Sequence, residues 1–367
     1  MSSTGKYCDL ATDADHLSGA PDGYRNGLLK QRIHLAADLV TRSPLFLWDW
    51  GEAIAIQALM VASDATGEWR YREWACSRMD LWRQIHPVPF WPDHLGPGTA
   101  LLWQYERTGD PDIIAYAEQL GRHLASLPRA RTSARLLRPD KPDIDHYVWV
   151  DSLYTDGPFL CELARITDND AYYDEAADHT EGMCASLQDE ATGLFAHRYD
   201  DSVGQTNGVF WGRGCGWAAL GLGHTLALLP AAHPLREPLA ARLRAFAETA
   251  AVLQTSQGHW RAVLDIDQTL PESSTTALIA EGLALGYGVG ALKEEVLPII
   301  QRAWSAVSEE VAADGHVKNV SQRSPSSDSW ENYAKLPHGG IYPWGQGPWL
   351  LLACRVLSNR LHHRPAI

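Results

Sequence analysis

The chain of 367 residues has no apolar run long enough to cross a bilayer as a helix. Its first segment, Met1–Asp22, is polar and has no signal-peptide core, so a cytoplasmic location is expected. The six cysteines (Cys8, Cys76, Cys161, Cys184, Cys215 and Cys354) are scattered and include no C-x-x-C pair. That spacing speaks against a disulfide framework or a zinc cluster, and they read as small core residues. Basic charge is scarce, with 31 Lys and Arg against 45 Asp and Glu and a formal net charge of −14. Such a balance argues against nucleic acid or an anionic membrane as a partner, although a local Arg/His cluster can still reverse the sign inside a pocket. No histidine pair has H-E-x-x-H spacing, and the phosphate loop, the dinucleotide fingerprint and the G-x-S-x-G elbow are all missing. Neither a catalytic metal nor a cofactor is expected, and a serine-hydrolase elbow is excluded.

What remains is 45 % hydrophobic and 21 % charged, enough for a large core, and it carries fifteen tryptophans, a load that suits sugar-processing proteins. A repeat runs through it. A polar, aromatic or glycine-rich lead-in precedes a helix of small apolar residues at Trp48–Glu52, Asp93–Gly98, Trp149–Tyr154, Trp211–Trp217, Glu272–Thr275 and Trp344–Pro348. More polar segments with apolar residues at helical spacing lie between them: Arg70–Ile85, Pro111–Ala125, Ala171–Leu187, Leu235–Leu253 and Leu292–Val307. Ala65–Glu68, Arg107–Asp110 and Ile166–Asp170 read as helix stops followed by N-capping acids. Gly193, Gly258 and Gly315 each open an extended piece before a later inner helix. Six αα-hairpins with their lead-ins at one end describe an all-α (α/α)6 barrel with short β pieces at its mouth. The alternative, an open α-solenoid, calls for more uniform repeats. Residues 1–25 read as a polar N-terminal extension, 26–360 as a single (α/α)6 domain and 361–367 as a tail.

Lead-ins that converge on one mouth bring their polar residues together. Trp211-Gly212-Arg213-Gly214-Cys215-Gly216-Trp217 is the densest of them. Glycines permit a close backbone approach to a ligand, an arginine fork suits a carboxylate, and indole faces suit the C–H face of a sugar. The stretch suggests a pocket for an acidic sugar; a glycine-rich loop with a structural arginine is the plainer alternative. Trp48 and Trp344 open the first and sixth lead-ins and join the expected lining. Asp151, bracketed by Trp149 and Tyr154, is the best acid/base candidate, since an aspartate among aromatics is desolvated and holds its proton. It also stands where an N-capping aspartate would stand. Asp93 occupies the corresponding place one repeat earlier, and two carboxylates on one rim suit glycoside chemistry. Of the histidines, His146, His197, His259 and His338 lie near lead-ins.

Trp149-Val150-Asp151-Ser152-Leu153-Tyr154 with Gly157-Pro158-Phe159-Leu160, Gly193-Leu194-Phe195-x-His197, and Phe210-Trp211-Gly212-Arg213-x-x-Gly216-Trp217 resemble three signatures of glycoside hydrolase family 105. This is the family of unsaturated rhamnogalacturonyl hydrolases, related to the family 88 unsaturated glucuronyl hydrolases. The resemblance runs from about Trp48 to Val356. It implies the (α/α)6 barrel and an enzyme that takes a 4,5-unsaturated uronic acid from the non-reducing end of lyase-generated oligosaccharides by hydrating C4=C5. By the same resemblance Asp151 is the catalytic acid/base and Asp93 a second active-site aspartate, while Trp149, His197, Trp211, Arg213 and Trp217 line the pocket, with Arg213 a partner for the substrate carboxylate. Thr132–Arg138 lacks the histidine that many relatives carry there, and His146 is the candidate replacement; Arg129, Arg131, Arg135 and Arg138 make a local basic stretch instead. The expected partner is a small acidic oligosaccharide, with unsaturated galacturonyl-rhamnose favoured over a glucuronyl substrate. Other classes would be a sugar epimerase or isomerase on the same barrel, which calls for paired histidines, and a non-catalytic sugar-binding toroid.

Overall fold

A computed structural model describes residues 22–43, 49–86, 98–137 and 141–358; Trp48, Asp93 and Arg138 of the sequence reading lie outside them. Helices alternate along the chain between two environments. The first set comprises α2 (Trp50–Thr66), α4 (Gly98–Thr108), α7 (Gly157–Thr167), α9 (Gly212–Leu228), α11 (Ser273–Gly288) and α14 (Pro343–Leu357), the last preceded by the short α13 (Trp330–Ala334). These are buried almost all round; in α11 every residue from Ser273 to Ala284 is inside. The second set comprises α1 (Asp22–Arg42), α3 (Arg70–Ile85), α5 (Pro111–Ser126), α8 (Ala171–Leu187), α10 (Arg236–Leu253) and α12 (Leu297–Glu309). These bury one stripe, as α12 does with Ile300, Ala303, Ala306 and Val307.

The first set closes a ring. Helix α2 touches α4, α4 touches α7, α7 touches α9, α9 touches α11, α11 touches α14, and α14 returns to α2. Each carries one outer helix, with α1 packed on α14 so that the first and last described helices meet. A closed ring of inner helices is an (α/α)6 toroid and rules out the open solenoid.

Local chemistry sets the helix ends. Asp49 Oδ1 accepts from Gly51 N–H at 2.9 Å and starts α2, and Gly67, at φ 75°, stops it. Asp110 caps α5 through Asp112 N–H, but Asp170 makes no side-chain cap to α8, and the residue before α3 is Trp69 rather than an acid. The helix expected from Leu292 starts at Leu297 after a 3₁₀ turn, because Pro298 has no N–H and fits only in a first turn.

The three glycine turns are equivalent in space as well as in sequence. Gly193, Gly258 and Gly315 have φ of 72°, 91° and 93°. A Cβ at each would sit 2.6, 2.4 and 2.5 Å from the backbone of α10, α12 and α1 respectively. Both the backbone conformation and the close approach require glycine. A feature the sequence did not advertise repeats with two of them. Gln188 Nε2 donates to Gly193 O and Arg242 O, each at 2.9 Å, and Gln254 Nε2 donates to Gly258 O and Ile299 O at 2.9 and 3.0 Å.

Lead-ins and loops gather at one end of the ring. There β1 (Tyr147–Trp149), β2 (Arg198–Asp200) and β3 (Gln205–Thr206) form an antiparallel sheet in the order β1-β2-β3, with Trp149 opposite Arg198. No helix among the described residues is long and apolar enough to cross a membrane.

Candidate active site

The sheet register builds the centre of the site. Trp149 ends β1 opposite Arg198, Val150 N–H donates to His197 O at 3.1 Å, and the chain then turns into α6 (Ser152–Thr155). This brings Asp151 Oδ2 to 3.8 Å from His197 Nε2. Asp151 precedes α6 but its side chain makes no cap to that helix, so the N-cap alternative for this residue does not apply. Asp151, Ser152, Thr155, Trp149, His197 and Trp211 line a cavity of about 590 Å³ together with Trp50, Ile144 and the segment Arg323–Ser326.

His197 is buried beside aromatic rings, with the Trp211 ring centroid at 4.3 Å and that of Trp149 at 5.9 Å. Burial, and then the nearby charges of Arg213 and Arg198, push its pKa down to about 3, so the imidazole is neutral near pH 7. Tyr333 Oη lies 2.7 Å from His197 Nδ1 and accepts from Ser327 N–H at 3.0 Å. Burial raises the Tyr333 pKa to about 12, so the phenol keeps its proton.

Arg213 does not reach the cavity. It is fully buried beneath it. Its Nη1 donates to Ser321 O at 3.0 Å and Ser321 Oγ at 2.8 Å, and its Nη2 donates to Gln322 O at 2.8 Å and Ser324 Oγ at 3.0 Å. Glu272 Oε1 is 3.5 Å away. Burial works to raise the Glu272 pKa, but Arg213 and the N–H groups of Thr275 and Ser321 outweigh it and hold the carboxylate ionised. The expectation that Arg213 meets a substrate carboxylate is therefore corrected. Both of its Nη atoms are spent on the chain segment that carries Arg323, which is the plainer reading of this stretch.

Arg323, which the sequence reading did not single out, is the cation that lines the cavity among the described residues. Its guanidinium is bonded to Asp49 Oδ2 and lies 5.1 Å from the Trp50 ring centroid and 6.0 Å from that of Trp344. The only hint in the sequence was a lone arginine in a serine-rich run before the sixth inner helix.

The other expected residues divide. Trp149 and Trp211 line the cavity. Trp217 is fully buried and stacks on Tyr154 at 4.9 Å, and its indole N–H reaches no hydroxyl. Trp344 sits one layer back, with its N–H on Ser321 O at 3.0 Å and its ring 5.3 Å from Trp50. His146 does not line the cavity; its Nδ1 is 2.9 Å from Asp145 Oδ1 and its Nε2 3.7 Å from Asp200 Oδ1. The glycines of the Trp211 stretch serve packing rather than a ligand. A Cβ on Gly212 would lie 2.2 Å from Arg261 O, and one on Gly216 would lie 2.6 Å from Leu278 Cβ on α11. The basic stretch is largely spent on contacts within the chain, with Arg129 and Arg135 both paired to Glu175 and Arg131 donating to Ser202 O at 3.2 Å.

Comparison with known proteins agrees with this architecture. The chain is 27 % identical over 329 residues, 86 % of its length and 91 % of the other, to the unsaturated rhamnogalacturonyl hydrolase YesR of Bacillus subtilis (strain 168). It is 30 % identical over 218 residues to an unsaturated 3S-rhamnoglycuronyl hydrolase of Alteromonas sp. (strain LOR), a match covering 58 % of this chain and 51 % of that protein. Among solved structures, one described as a possible GH105 member from Klebsiella pneumoniae superposes with a TM-score of 0.83 at 17 % identity, covering 97 % of this chain and 100 % of that one. The unsaturated glucuronyl hydrolase of Bacillus sp. GL1 superposes with a TM-score of 0.69 at 16 % identity, covering 94 % of this chain and 100 % of that one. Residues 31–360 match the model of Glycosyl Hydrolase Family 88, and the chain belongs to that family.

Proposed function

We propose that this protein is a hydrolase of lyase-generated oligosaccharides that removes a 4,5-unsaturated uronic acid from their non-reducing end, with unsaturated galacturonyl-rhamnose as the favoured substrate. The observation that carries the reading is Asp151 beside a neutral His197 in a cavity lined also by Trp149, Trp211 and Arg323. The indoles offer flat faces for a sugar ring, and Arg323 offers a fork for the uronate carboxylate. The galacturonyl-rhamnose preference is supported by the name of the Bacillus subtilis relative. An unsaturated glucuronyl substrate is the runner-up. An epimerase would call for paired histidines, and His197 is the one histidine that lines the cavity among the described residues.

In this reading the carboxylic acid form of Asp151 gives its proton to C4, and the oxygen of a water bonds to C5. The surplus proton of that water passes to the carboxylate just formed, which restores the acid. The product carries both a hydroxyl and the ring oxygen on C5 and is a hemiketal. It opens to a ketone at C5 and a hemiacetal at C1, which releases the neighbouring sugar as its alcohol. One water is consumed in total. Asp93, outside the described residues, remains the proposed second carboxylate of the site.

The test is the ultraviolet absorbance of unsaturated oligosaccharides, which hydration of C4=C5 destroys. Wild type is expected to remove the signal and release the next sugar. Asp151→Asn is expected to fold normally and to lose at least about 10³-fold in rate. Substantial turnover by Asp151→Asn, or a steady signal with rhamnogalacturonan-, glucuronan- and glycosaminoglycan-derived substrates alike, would overturn the reading.

A further inference from the structure

A hydroxyl beside Asp151 is held in one orientation by a buried pair that plays no part in the chemistry just described. Thr155 lines the cavity. It follows Asp151 by four residues through the single turn of α6, so the two side chains share a face. Thr155 Oγ1 lies 2.6 Å from Asp156 Oδ1. The other Asp156 oxygen lies 3.0 Å from His179 Nε2, and both of these residues are fully buried.

The protons in this chain can be placed from geometry. The backbone N–H of Arg135 donates to His179 Nδ1 at 3.0 Å, so Nδ1 bears a lone pair and Nε2 bears the hydrogen. Nε2–H therefore donates to Asp156 Oδ2. Asp156 accepts on both oxygens, and one of the protons it accepts is the only one Thr155 has to give. Toward the cavity Thr155 is left with lone pairs and acts as an acceptor.

The Arg135 N–H is itself held firmly. Arg129 and Arg135 are bridged across a tight hairpin in which Ala130 N–H donates to Ala134 O at 2.7 Å. The hairpin sits on Gly182 of α8, where a Cβ would lie 2.4 Å from Ala134 N. Glu175, also on α8, grips the Arg135 guanidinium at 2.7 and 2.9 Å. The basic stretch thus serves as a strut that sets the tautomer of His179.

We propose that Thr155 holds the attacking water by accepting a hydrogen bond from it, and that Asp156 and His179 are positioning residues that keep the Thr155 hydroxyl in that role. This rests on the hydration reading above. Thr155 keeps its own proton throughout. The water oxygen bonds to C5, C4 gains the Asp151 proton, and the surplus proton of the water returns to Asp151.

The experiment is steady-state kinetics by absorbance loss on wild type, Asp151→Asn, Thr155→Ser, Thr155→Val, Asp156→Asn and the Thr155→Val/Asp156→Asn double variant. Thr155→Val, close in shape but without the hydroxyl, is expected to lower kcat about 10- to 100-fold with KM within about two-fold of wild type. Thr155→Ser keeps the hydroxyl and is expected to stay near wild type. In Asp156→Asn the amide oxygen accepts from His179 and the amide N–H₂ faces Thr155, which turns the hydroxyl proton toward the cavity. Its loss should match that of Thr155→Val, and the double variant should be no slower than Thr155→Val alone. A Thr155→Val enzyme within about two-fold of wild type, a Thr155→Ser enzyme as slow as Thr155→Val, or multiplying losses in the double variant would each overturn the proposal. A substrate-free measurement stands beside it. The ¹⁵N shifts of His179 should report a neutral ring protonated on Nε2, and a ring protonated on Nδ1 refutes the relay whatever the reaction is. A wild type that leaves the absorbance untouched sinks the hydration reading and the role of Thr155 with it. An active wild type with an unaffected Thr155→Val sinks only the inference drawn here.

Discussion

The carboxylate contact that the sequence suggests for Arg213 is one we propose for Arg323 instead, and Arg213→Ala is the perturbation that measures it. The substitution removes a fully buried guanidinium and takes one donor each from Ser321 O, Gln322 O and two serine hydroxyls. It also leaves the buried Glu272 carboxylate without its cation, 3.5 Å away in the native site. Removing one partner of a buried ion pair costs about 3–5 kcal/mol, because the other charge stays inside unpaired. For a domain of this size that is a fall in unfolding midpoint of roughly 4–7 °C. Differential scanning calorimetry of wild type and variant at one scan rate reads it. Adding Glu272→Gln removes the stranded charge, so the double variant should be about 1–3 kcal/mol less destabilised than the sum of the single changes. Arg213→Ala will also weaken substrate binding, since it frees the segment that carries Arg323, and the midpoint is therefore the deciding observable. A midpoint within about 2 °C of wild type together with a large rise in KM would mean that Arg213 spends its charge on substrate, and the reasoning would fail.

Two further outcomes follow from the same geometry. Arg323→Ala, with its side chain half exposed at the mouth, should raise KM about 10- to 100-fold with kcat and unfolding midpoint little changed, and added salt should raise the KM of wild type more than that of the variant; an unchanged KM would remove Arg323 from the carboxylate. His197 has a folded pKa lowered from 6.5 to about 3, so the unfolded chain takes up the proton first as pH falls: its contribution is intact above pH 6.5 and drains away toward pH 3, amounting to about 2 kcal/mol by pH 5. The fall in unfolding midpoint from pH 7 to pH 5 should accordingly be smaller in His197→Gln than in wild type, and equal falls would show that His197 is not buried neutral.

The fold was legible because each hairpin uses the same two compositions. Small-residue helices such as Ser273–Gly288 are covered on all sides, and polar helices such as Leu297–Glu309 bury one stripe, so the alternation along the chain maps onto inner and outer rings. The glycine turns were legible for a similar reason, since only glycine meets both of their demands. The Trp149-Val150-Asp151 segment was readable because strand and helix chemistry meet there, and the register of β1 on β2 carries Asp151 to His197. What could not be read is anything decided by depth. Trp217 and Trp211 look alike in sequence, yet one stacks on Tyr154 inside the ring and the other lines the cavity. The relay from Thr155 through Asp156 to His179 joins residues from three segments, and no spacing rule announces it.

Depth also explains why the two arginines differ in kind. A guanidinium taken wholly out of water is costly unless its donors are matched, and the two Nη atoms of Arg213 are matched by serine hydroxyls, backbone carbonyls and Glu272. Those contacts would be lost if Arg213 turned toward a ligand, so the burial that fixes its position also removes it from exchange. Arg323 is under no such constraint. It lines the cavity half exposed and is bonded to Asp49 Oδ2, and Asp49 Oδ1 remains on the α2 N-terminus whether or not Oδ2 keeps Arg323. A substrate carboxylate can therefore take one edge of the Arg323 fork and leave no buried acceptor unsatisfied. In a protein of net charge −14, the cation that meets an anionic sugar has to be one the fold can spare, and the arginine in the most suggestive motif of the sequence is the one it cannot.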